Sequence, residues 1–193
     1  MATTAGPRPL RADAQRNHDR IVGAADEAFA EQGLEVSMVE IARRAGVGPA
    51  TVYRRFPSKA LLLRAIVDAR LAELEPRIAA ACAAEDAWEG FLAGMRAVLE
   101  AQAVNASLPQ VLAQAGELMV LKEELHRRVL TPLCELMAHA QASGQVRADL
   151  DPQELPVLIR MLATTINTSA WPRYLALLSD ALRTPQPTAL PNR

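Results

Sequence analysis

The stretch that most constrains the fold runs from Ser37 to Lys59 and reads SMVEIARRAGVGPATVYRRFPSK. Ser37 and Glu40 have the spacing of a capping box, in which each side chain accepts a hydrogen bond from the other residue's amide and so starts a helix. Gly46 is placed to end that helix, because glycine adopts a positive φ with little strain. Pro49 suits the first position of the next helix, where its missing N–H is not needed. The pattern therefore predicts two short helices joined by a tight turn, a helix-turn-helix.

The second of these helices carries an unusual density of polar side chains. Within about one and a half turns it has Thr51, Tyr53, Arg54 and Arg55. Hydroxyl and guanidinium groups crowded on a short helix are poor core material, but they suit a phosphate-lined groove. Ser58, which follows Pro57, is predicted to cap a long helix from Lys59, whose positive N-terminal end attracts anions. We therefore expect this part of the chain to bind DNA.

The apolar pattern predicts an all-α protein. Half of the 193 residues are hydrophobic, and no segment shows the alternation of a strand. We predict about nine helices in total, a three-helix head followed by a helical bundle. The predicted helices outside the helix-turn-helix are 13–32, 59 to about 75, 86–104, a short helix that ends at about 114, 117–141, 151–166 and 171–182. Pro76 is expected to end or kink its helix, and Pro132 to bend its own.

The predicted organisation has three parts. Residues 1–57 form the DNA-binding head with a mobile arm at residues 1–11, residues 58–183 form the body, and residues 184–193 form a disordered tail. The buried side chains of the helix-turn-helix are predicted to be Val39, Ile41, Val47, Val52 and Phe56. Residues 1–70 have 11 Lys and Arg against 8 Asp and Glu, a net charge of +3, whereas the remainder has a net charge of −4. A basic head on an acidic body is consistent with DNA binding.

Other classes of function have little support in the residues. Two cysteines far apart allow no disulfide framework and no zinc spacing, and neither a signal peptide nor a membrane span is visible, so we expect a soluble, cytoplasmic protein. Glu123 and His126 match one Glu-x-x-His pair of a di-iron bundle, but the required second pair is missing. We therefore expect no enzyme, no metal and no cofactor. A helical interaction module that does not bind DNA is the remaining alternative.

The block ADEAFAEQGLEVSMVEIARRAGVGPATVYRRFPSKALLLRAIV resembles the TetR family of bacterial transcriptional regulators. The resemblance covers about a quarter of the chain, including Ala45-Gly46-Val47, Thr51-Val52-Tyr53 and Lys59. It implies a homodimer that pairs through its last two helices, with Trp171-Pro172 near the seam, and that binds a palindromic operator. It also implies a repressor that a small-molecule effector releases from DNA.

The resemblance assigns roles to individual residues. Contacts to DNA are expected from Ser37, Arg43, Arg44, Gly48, Thr51, Tyr53, Arg54, Arg55 and Lys59. Tyr53 and Lys59 are expected on phosphates of one strand, and base readout falls on Thr51, Arg54, Arg55 or the Arg43–Arg44 pair. Gly48 stands where many relatives have a serine or threonine cap, so either a phosphate contact or a cap contact is expected to be missing. Candidates for the effector pocket are Phe91, Met95, Met119, His126, Met137 and Asn167, with Cys134 as a further possibility.

Overall fold

The computed structural model describes residues 8–104, 123–166, 168, 170–183 and 190, and all regular structure in them is helical. The prediction of an all-α fold is confirmed. Eight α-helices lie in the described residues, and the short helix predicted before residue 114 lies outside them. The helices are α1 (Arg8–Gln32), α2 (Met38–Ala45), α3 (Pro49–Arg55), α4 (Lys59–Cys82), α5 (Ala87–Val104), α6 (Thr131–Ala142), α7 (Leu155–Ala163) and α8 (Trp171–Leu182).

Close packing divides the described residues into two units, and the division falls inside α4, between Asp68 and Ala69. The first unit contains α1, α2, α3 and the start of α4. Its core combines buried residues from all four helices, namely Ile21, Ala25, Phe29, Ile41, Ala42, Val52, Leu62 and Ile66. The second unit contains the rest of α4 and α5 to α8. Its core includes Leu74, Ile78, Phe91, Met95, Leu99, Leu133, Met137, Leu155, Ile159 and Leu175.

The helix starts agree with the capping residues in the sequence. The Ser58 hydroxyl accepts from the amide of Leu61 at 3.3 Å, and the Asp86 carboxylate accepts from the amide of Glu89 at 2.9 Å. Asp151 forms a full capping box with Glu154 at the 3-10 turn Pro152–Glu154, which leads directly into α7. These side chains satisfy amides at helix starts that lack intrahelical partners.

The prediction of a mobile arm at residues 1–11 is wrong for residues 8–11. Helix α1 begins at Arg8, five residues before the predicted start, so residues 8–11 are helical. Pro9 does not prevent this, because a proline in the first helical turn gives up an N–H that has no intrahelical partner. Residues 1–7 lie outside the described residues, as does the predicted tail apart from Leu190.

The two internal prolines have different effects. Pro76 does not end its helix, since α4 continues to Cys82 around it. Near Pro132 the structure has a π-helical turn, His126–Leu130, in which the amide of Thr131 donates to the carbonyl of His126. Pro132 then lies in the first turn of α6, where its missing N–H is tolerated.

The prediction that Val39 is buried is wrong. The buried stripe of α2 is Met38, Ile41, Ala42 and Ala45, whereas Val39 is 53% exposed. Successive residues of an α-helix lie about 100° apart, so the residue next to Met38 points away from the core. Ile41, Val52 and Phe56 are buried as predicted, and Val47 is half-buried. No helix in the described part of the chain is both long and apolar enough to cross a membrane.

Candidate nucleic-acid interface

The turn between α2 and α3 is held by backbone geometry and by one long-range hydrogen bond. The Ser37 hydroxyl accepts from the amide of Glu40 at 3.1 Å and starts α2. Gly46 ends α2 with φ of 63°, in the left-handed region that favours glycine. The Arg20 side chain of α1 donates to the carbonyl of Gly46 at 3.2 Å, which ties the turn to the first helix.

The start of α3 has no side-chain cap. Gly48 is the N-cap and provides no side-chain hydrogen bond to the first turn, while Pro49 follows it inside the helix. The carbonyl of Gly48 accepts from the amide of Thr51 at 2.9 Å. Any contact from Gly48 to DNA therefore comes from its backbone.

The two arginines of α2 are engaged in ion pairs. The Glu40 carboxylate accepts from Arg43 at 2.7 and 2.8 Å and from Arg44 at 3.0 Å, and Arg44 also pairs with Glu31 of α1 at 2.7 Å. Hydrogen bonds from Arg43 and then Arg44 lower the pKa of Glu40 to about 2. Glu40 does not complete the predicted capping box with the Ser37 amide, because its carboxylate pairs with these arginines instead.

Exposure separates the two arginines. The Arg43 side chain is 72% exposed, whereas that of Arg44 is 20% exposed and links α1 to α2. A guanidinium that already holds two carboxylates has fewer free donors for a phosphate or a base. Arg44 is therefore placed mainly to hold the head together, and Arg43 is the more accessible of the pair.

Helix α3 presents its polar side chains outward. Val52 is fully buried, while Tyr53, Arg54 and Arg55 are exposed and Thr51 is half-buried. In the described residues, the Arg54 side chain has neither a hydrogen bond nor an ion pair. The exposed face of α3 thus combines a phenol and two guanidinium groups, which are donors suited to phosphate oxygens and base edges.

Lys59 lies at the N-terminus of α4, and one of its three ammonium donors is used within the protein. Its Nζ donates to the carbonyl of Leu34 at 2.6 Å, in the 3-10 turn Gly33–Glu35 between α1 and α2. An ammonium has three donors, so two N–H bonds remain for an anion at this helix end. Lys59 therefore joins two segments of the head while keeping charge at its surface.

Sequence reasoning missed His18. In the structure its Nδ1 accepts from Nε of Arg55 at 3.3 Å, and its ring lies 5.3 Å from the ring of Phe56. The available signal was its position on α1, one turn before Ile21 and on the same face as the buried Val22 and Ala25. A groove of about 210 Å³ runs beside it between α1 and α3, with Arg54 and Arg55 on its α3 side.

Known proteins are similar to this chain in both sequence and fold. The sequence model for bacterial regulatory proteins of the tetR family matches residues 21–66. The HTH-type transcriptional regulator SrpR of Pseudomonas putida is 30% identical over 151 residues, which is 76% of this chain and 71% of that relative. The TetR transcription regulatory protein of Mycobacterium vanbaalenii is 37% identical in its crystal structure, with a TM-score of 0.64 over 91% of this chain and 100% of that chain. The chain belongs to the TetR family.

A second solved structure agrees. The TetR transcriptional regulator of Streptomyces coelicolor is 28% identical over 89% of this chain and 99% of that chain, with a TM-score of 0.60. Members of the TetR family are DNA-binding transcription regulators and not enzymes. The protein is accordingly a TetR-family DNA-binding transcriptional regulator, with α2 and α3 as its helix-turn-helix.

The residues predicted for an effector pocket in this TetR-family chain occupy three kinds of position. Phe91, Met95 and Met137 are fully buried in the core of the second unit. His126 is exposed in the π-helical turn, and Met119 and Asn167 lie outside the described residues. An open groove of about 250 Å³ lies instead between α5 and α8, lined by Trp88, Leu92, Arg96, Leu175, Asp180 and Arg183.

The described residues of the body form neither a metal site nor a site for a thiol nucleophile. Glu123 and His126 are both exposed, and no group of three or more His, Cys, Asp and Glu side chains in the described ranges is close enough to hold a metal ion. The Cys134 thiol donates to the carbonyl of Pro152 at 3.3 Å, and burial raises its pKa. A thiol with a raised pKa is a weak nucleophile at neutral pH.

Proposed function

We propose that this regulator is a repressor that binds a palindromic operator as a homodimer and leaves it when a small-molecule effector binds. The observation that carries the DNA part is the exposed surface of α3, to which Tyr53, Arg54 and Arg55 all contribute. A short helix with such a face fits the major groove, and two copies in a dimer reach half-sites about one helical turn apart.

The proposed DNA contacts are those predicted from the sequence. Tyr53 and Lys59 bind backbone phosphates, with Lys59 using the donors that Leu34 leaves free. Ser37 and Gly48 are the N-caps of α2 and α3, and Arg43 adds an exposed cation. Arg44 acts mainly through the position of α2, and Thr51, Arg54 and Arg55 are the candidates for contacts in the groove.

The homodimer is supported by the surface of the last two helices. Val157 and Met161 on α7 and Tyr174 and Leu177 on α8 are exposed although they are large and apolar. Each pair is spaced by three or four residues, so each forms a stripe on one side of its helix. Contiguous apolar surface of this kind is typical of protein–protein interfaces. We propose that these stripes pair with the same stripes of a second copy.

The domain roles follow the predicted bounds, with residues 1–57 for DNA and residues 58–183 for the effector and the dimer. We propose the effector site in the second unit, at Phe91, Met95, Met119, His126, Met137 and Asn167, or in the groove between α5 and α8. Binding at the first site requires buried side chains to move apart, whereas the groove is already open. Release of DNA requires the effector to bind the released state more tightly than the bound state.

The decisive experiment is the selection of duplexes from fragmented genomic DNA by the purified protein. An enriched inverted repeat, with a footprint on both half-sites, is the expected result. Binding must also weaken steeply with salt, because each neutralised phosphate releases counterions. If neither genomic fragments nor random duplexes are retained at low salt, the head does not bind DNA alone and the proposal fails.

A further inference from the structure

The groove between α1 and α3 is a polar site on the head. On the α1 side it is lined by Asn17 and His18, and on the α3 side by Thr51, Arg54 and Arg55. We propose that this groove binds a DNA backbone phosphate, with Arg55 as its cation and His18 as the residue that positions Arg55. The proposal rests on the proposed function, and it leaves Arg54 as the arginine that reads bases.

Helix geometry separates the two arginines. With about 100° between successive residues, the Cβ of Arg54 lies roughly 160° around α3 from that of the buried Val52, so this side chain leaves the helix on the side away from the core, although it also lines the groove. Arg55 lies only about 60° from Val52, on the flank that faces α1. Tyr53 lies about 100° from Val52 on the opposite flank. A side chain on the far side of the helix reaches the floor of the major groove, whereas side chains on the flanks reach its walls, which are the phosphates.

His18 gives Arg55 a fixed direction. A guanidinium has only donor atoms, so the Nε–H of Arg55 donates and Nδ1 of His18 accepts. This hydrogen bond requires that Nδ1 carries no proton. Packing of the His18 ring on Phe56 holds that acceptor in place. Among the described residues, the four terminal N–H bonds of Arg55 have no acceptor, so they are available to a ligand. Ordering the side chain before binding reduces the conformational entropy that is lost on DNA.

The other lining groups fit an anion. Asn17 contributes an amide and Thr51 a hydroxyl, both able to donate, and Arg54 adds a second guanidinium to the lining. No carboxylate of the described residues lines the groove. The nearest acids along α1 are engaged elsewhere, since Asp13 pairs with Arg16 and Asp19 accepts from Gln15 at 2.8 Å. The two non-bridging oxygens of a phosphodiester in this groove would accept hydrogen bonds from a guanidinium and from the neutral Asn17 and Thr51 side chains. Tyr53 and Arg55 would then hold opposite strands of one major groove.

The test compares Arg55→Ala with Arg54→Ala as its matched control on the same helix. Affinity for an operator duplex and a random duplex is measured by fluorescence anisotropy over a series of salt concentrations. Arg55→Ala is expected to weaken both duplexes by the same factor and to reduce the salt slope by about one counterion. Arg54→Ala is expected to lower the ratio of operator to random affinity roughly 5- to 150-fold. A loss of sequence preference in Arg55→Ala with an unchanged salt slope would overturn the assignment.

Two variants of His18 test the positioning role. His18→Asn keeps an acceptor close to the place of Nδ1, and His18→Phe keeps a ring on Phe56 but removes the acceptor. We expect His18→Asn to retain most of the parent affinity and His18→Phe to resemble Arg55→Ala, with both folded by circular dichroism. Equal behaviour of the two variants on DNA would remove His18 from the proposal.

A backbone substitution identifies the ligand as phosphate. Operators carrying a single neutral methylphosphonate are scanned along both strands against the parent and Arg55→Ala. One position on the strand opposite the Tyr53 contact should weaken the parent and leave Arg55→Ala unaffected. If the parent binds the operator but no position shows this coupling, the phosphate site is refuted while the proposed function stands. If the parent binds no duplex, both fail together.

Discussion

Three glycines of the first unit allow one substitution to be compared in three backbone settings. Gly23 lies inside α1 and is exposed, with open space where a Cβ would be. Gly33 has φ of 69° and also open space, so only its backbone conformation resists a side chain. Gly46 has φ of 63°, and a Cβ there would lie 2.6 Å from Nη2 of Arg20. The series Gly23→Ala, Gly33→Ala and Gly46→Ala therefore separates helix propensity, left-handed strain and a lost contact.

The magnitudes follow from these settings. Alanine at Gly23 is expected to stabilise the protein by about 1 kcal/mol through helix propensity. Alanine in the left-handed region is strained by about 1–2 kcal/mol, partly offset by about 0.4–1 kcal/mol from the stiffer unfolded chain, so Gly33→Ala should lose roughly 1 kcal/mol. Gly46→Ala should lower the free energy of unfolding by about 0.5 kcal/mol more than Gly33→Ala, because the Arg20 side chain must leave the carbonyl of residue 46.

The assay is thermal unfolding at one protein concentration, followed by DNA binding at a temperature where all variants are folded. At about 2–4 °C per kcal/mol, Gly23→Ala should raise Tm by about 2–4 °C and Gly46→Ala should lower it by about 3–6 °C. Gly46→Ala should also weaken operator binding more than Gly33→Ala, because Gly46, unlike Gly33, lies in the turn between α2 and α3. A Tm for Gly46→Ala equal to or above that of the parent would refute the reasoning about the turn.

Three further predictions concern charge, assembly and packing. Since the pKa of Glu40 is about 2 in the folded chain against 4.5 ordinarily, its ion pairs contribute stability that is complete above about pH 4.5 and lost as the pH falls toward 2, so Glu40→Gln should flatten the pH dependence of Tm in that range. Met161 is 62% exposed, and Met161→Glu should give a folded monomer in sedimentation velocity at concentrations where the parent is a dimer; an unchanged dimer would argue against the α7 stripe. A Cβ on Gly94 would meet the buried Leu133 side chain, so Gly94→Ala should lower the free energy of unfolding by about 1 kcal/mol despite its better helix propensity, as urea denaturation would report.

The local features of the head were predictable because each depends on residues close in sequence. The Ser37 cap, the left-handed Gly46 and the Ser58 cap involve partners within a few positions, and the structure has all three. Helix ends are decided by such short-range hydrogen bonds and by glycine and proline geometry. The same holds for the capping box at Asp151, where the sequence predicted a helix start.

The features that were missed depend on packing between distant segments. Lys59 reaches the carbonyl of Leu34, and Arg55 reaches His18, across 25 and 37 positions of the chain. Pattern reasoning treats each of these cations as free at the surface, because it has no means to place α1 against α3 or α4. The error at Val39 has a different origin, since the spacing of Met38, Ile41, Ala42 and Ala45 along α2 already places Val39 off the buried stripe.

These contacts change how the charges of the head divide their work. Arg44 is held by two carboxylates, Lys59 by a carbonyl and Arg55 by an imidazole, so each has one direction in which its remaining donors point. Contacts to phosphates fix the register of a protein on the duplex without reading its sequence, and groups that are held in place suit this role. Discrimination between base pairs depends instead on hydrogen bonds to the base edges in the groove, for which an arginine needs donors that no protein group occupies. Arg54, which has no hydrogen bond or ion pair among the described residues, is the arginine of α3 with that freedom.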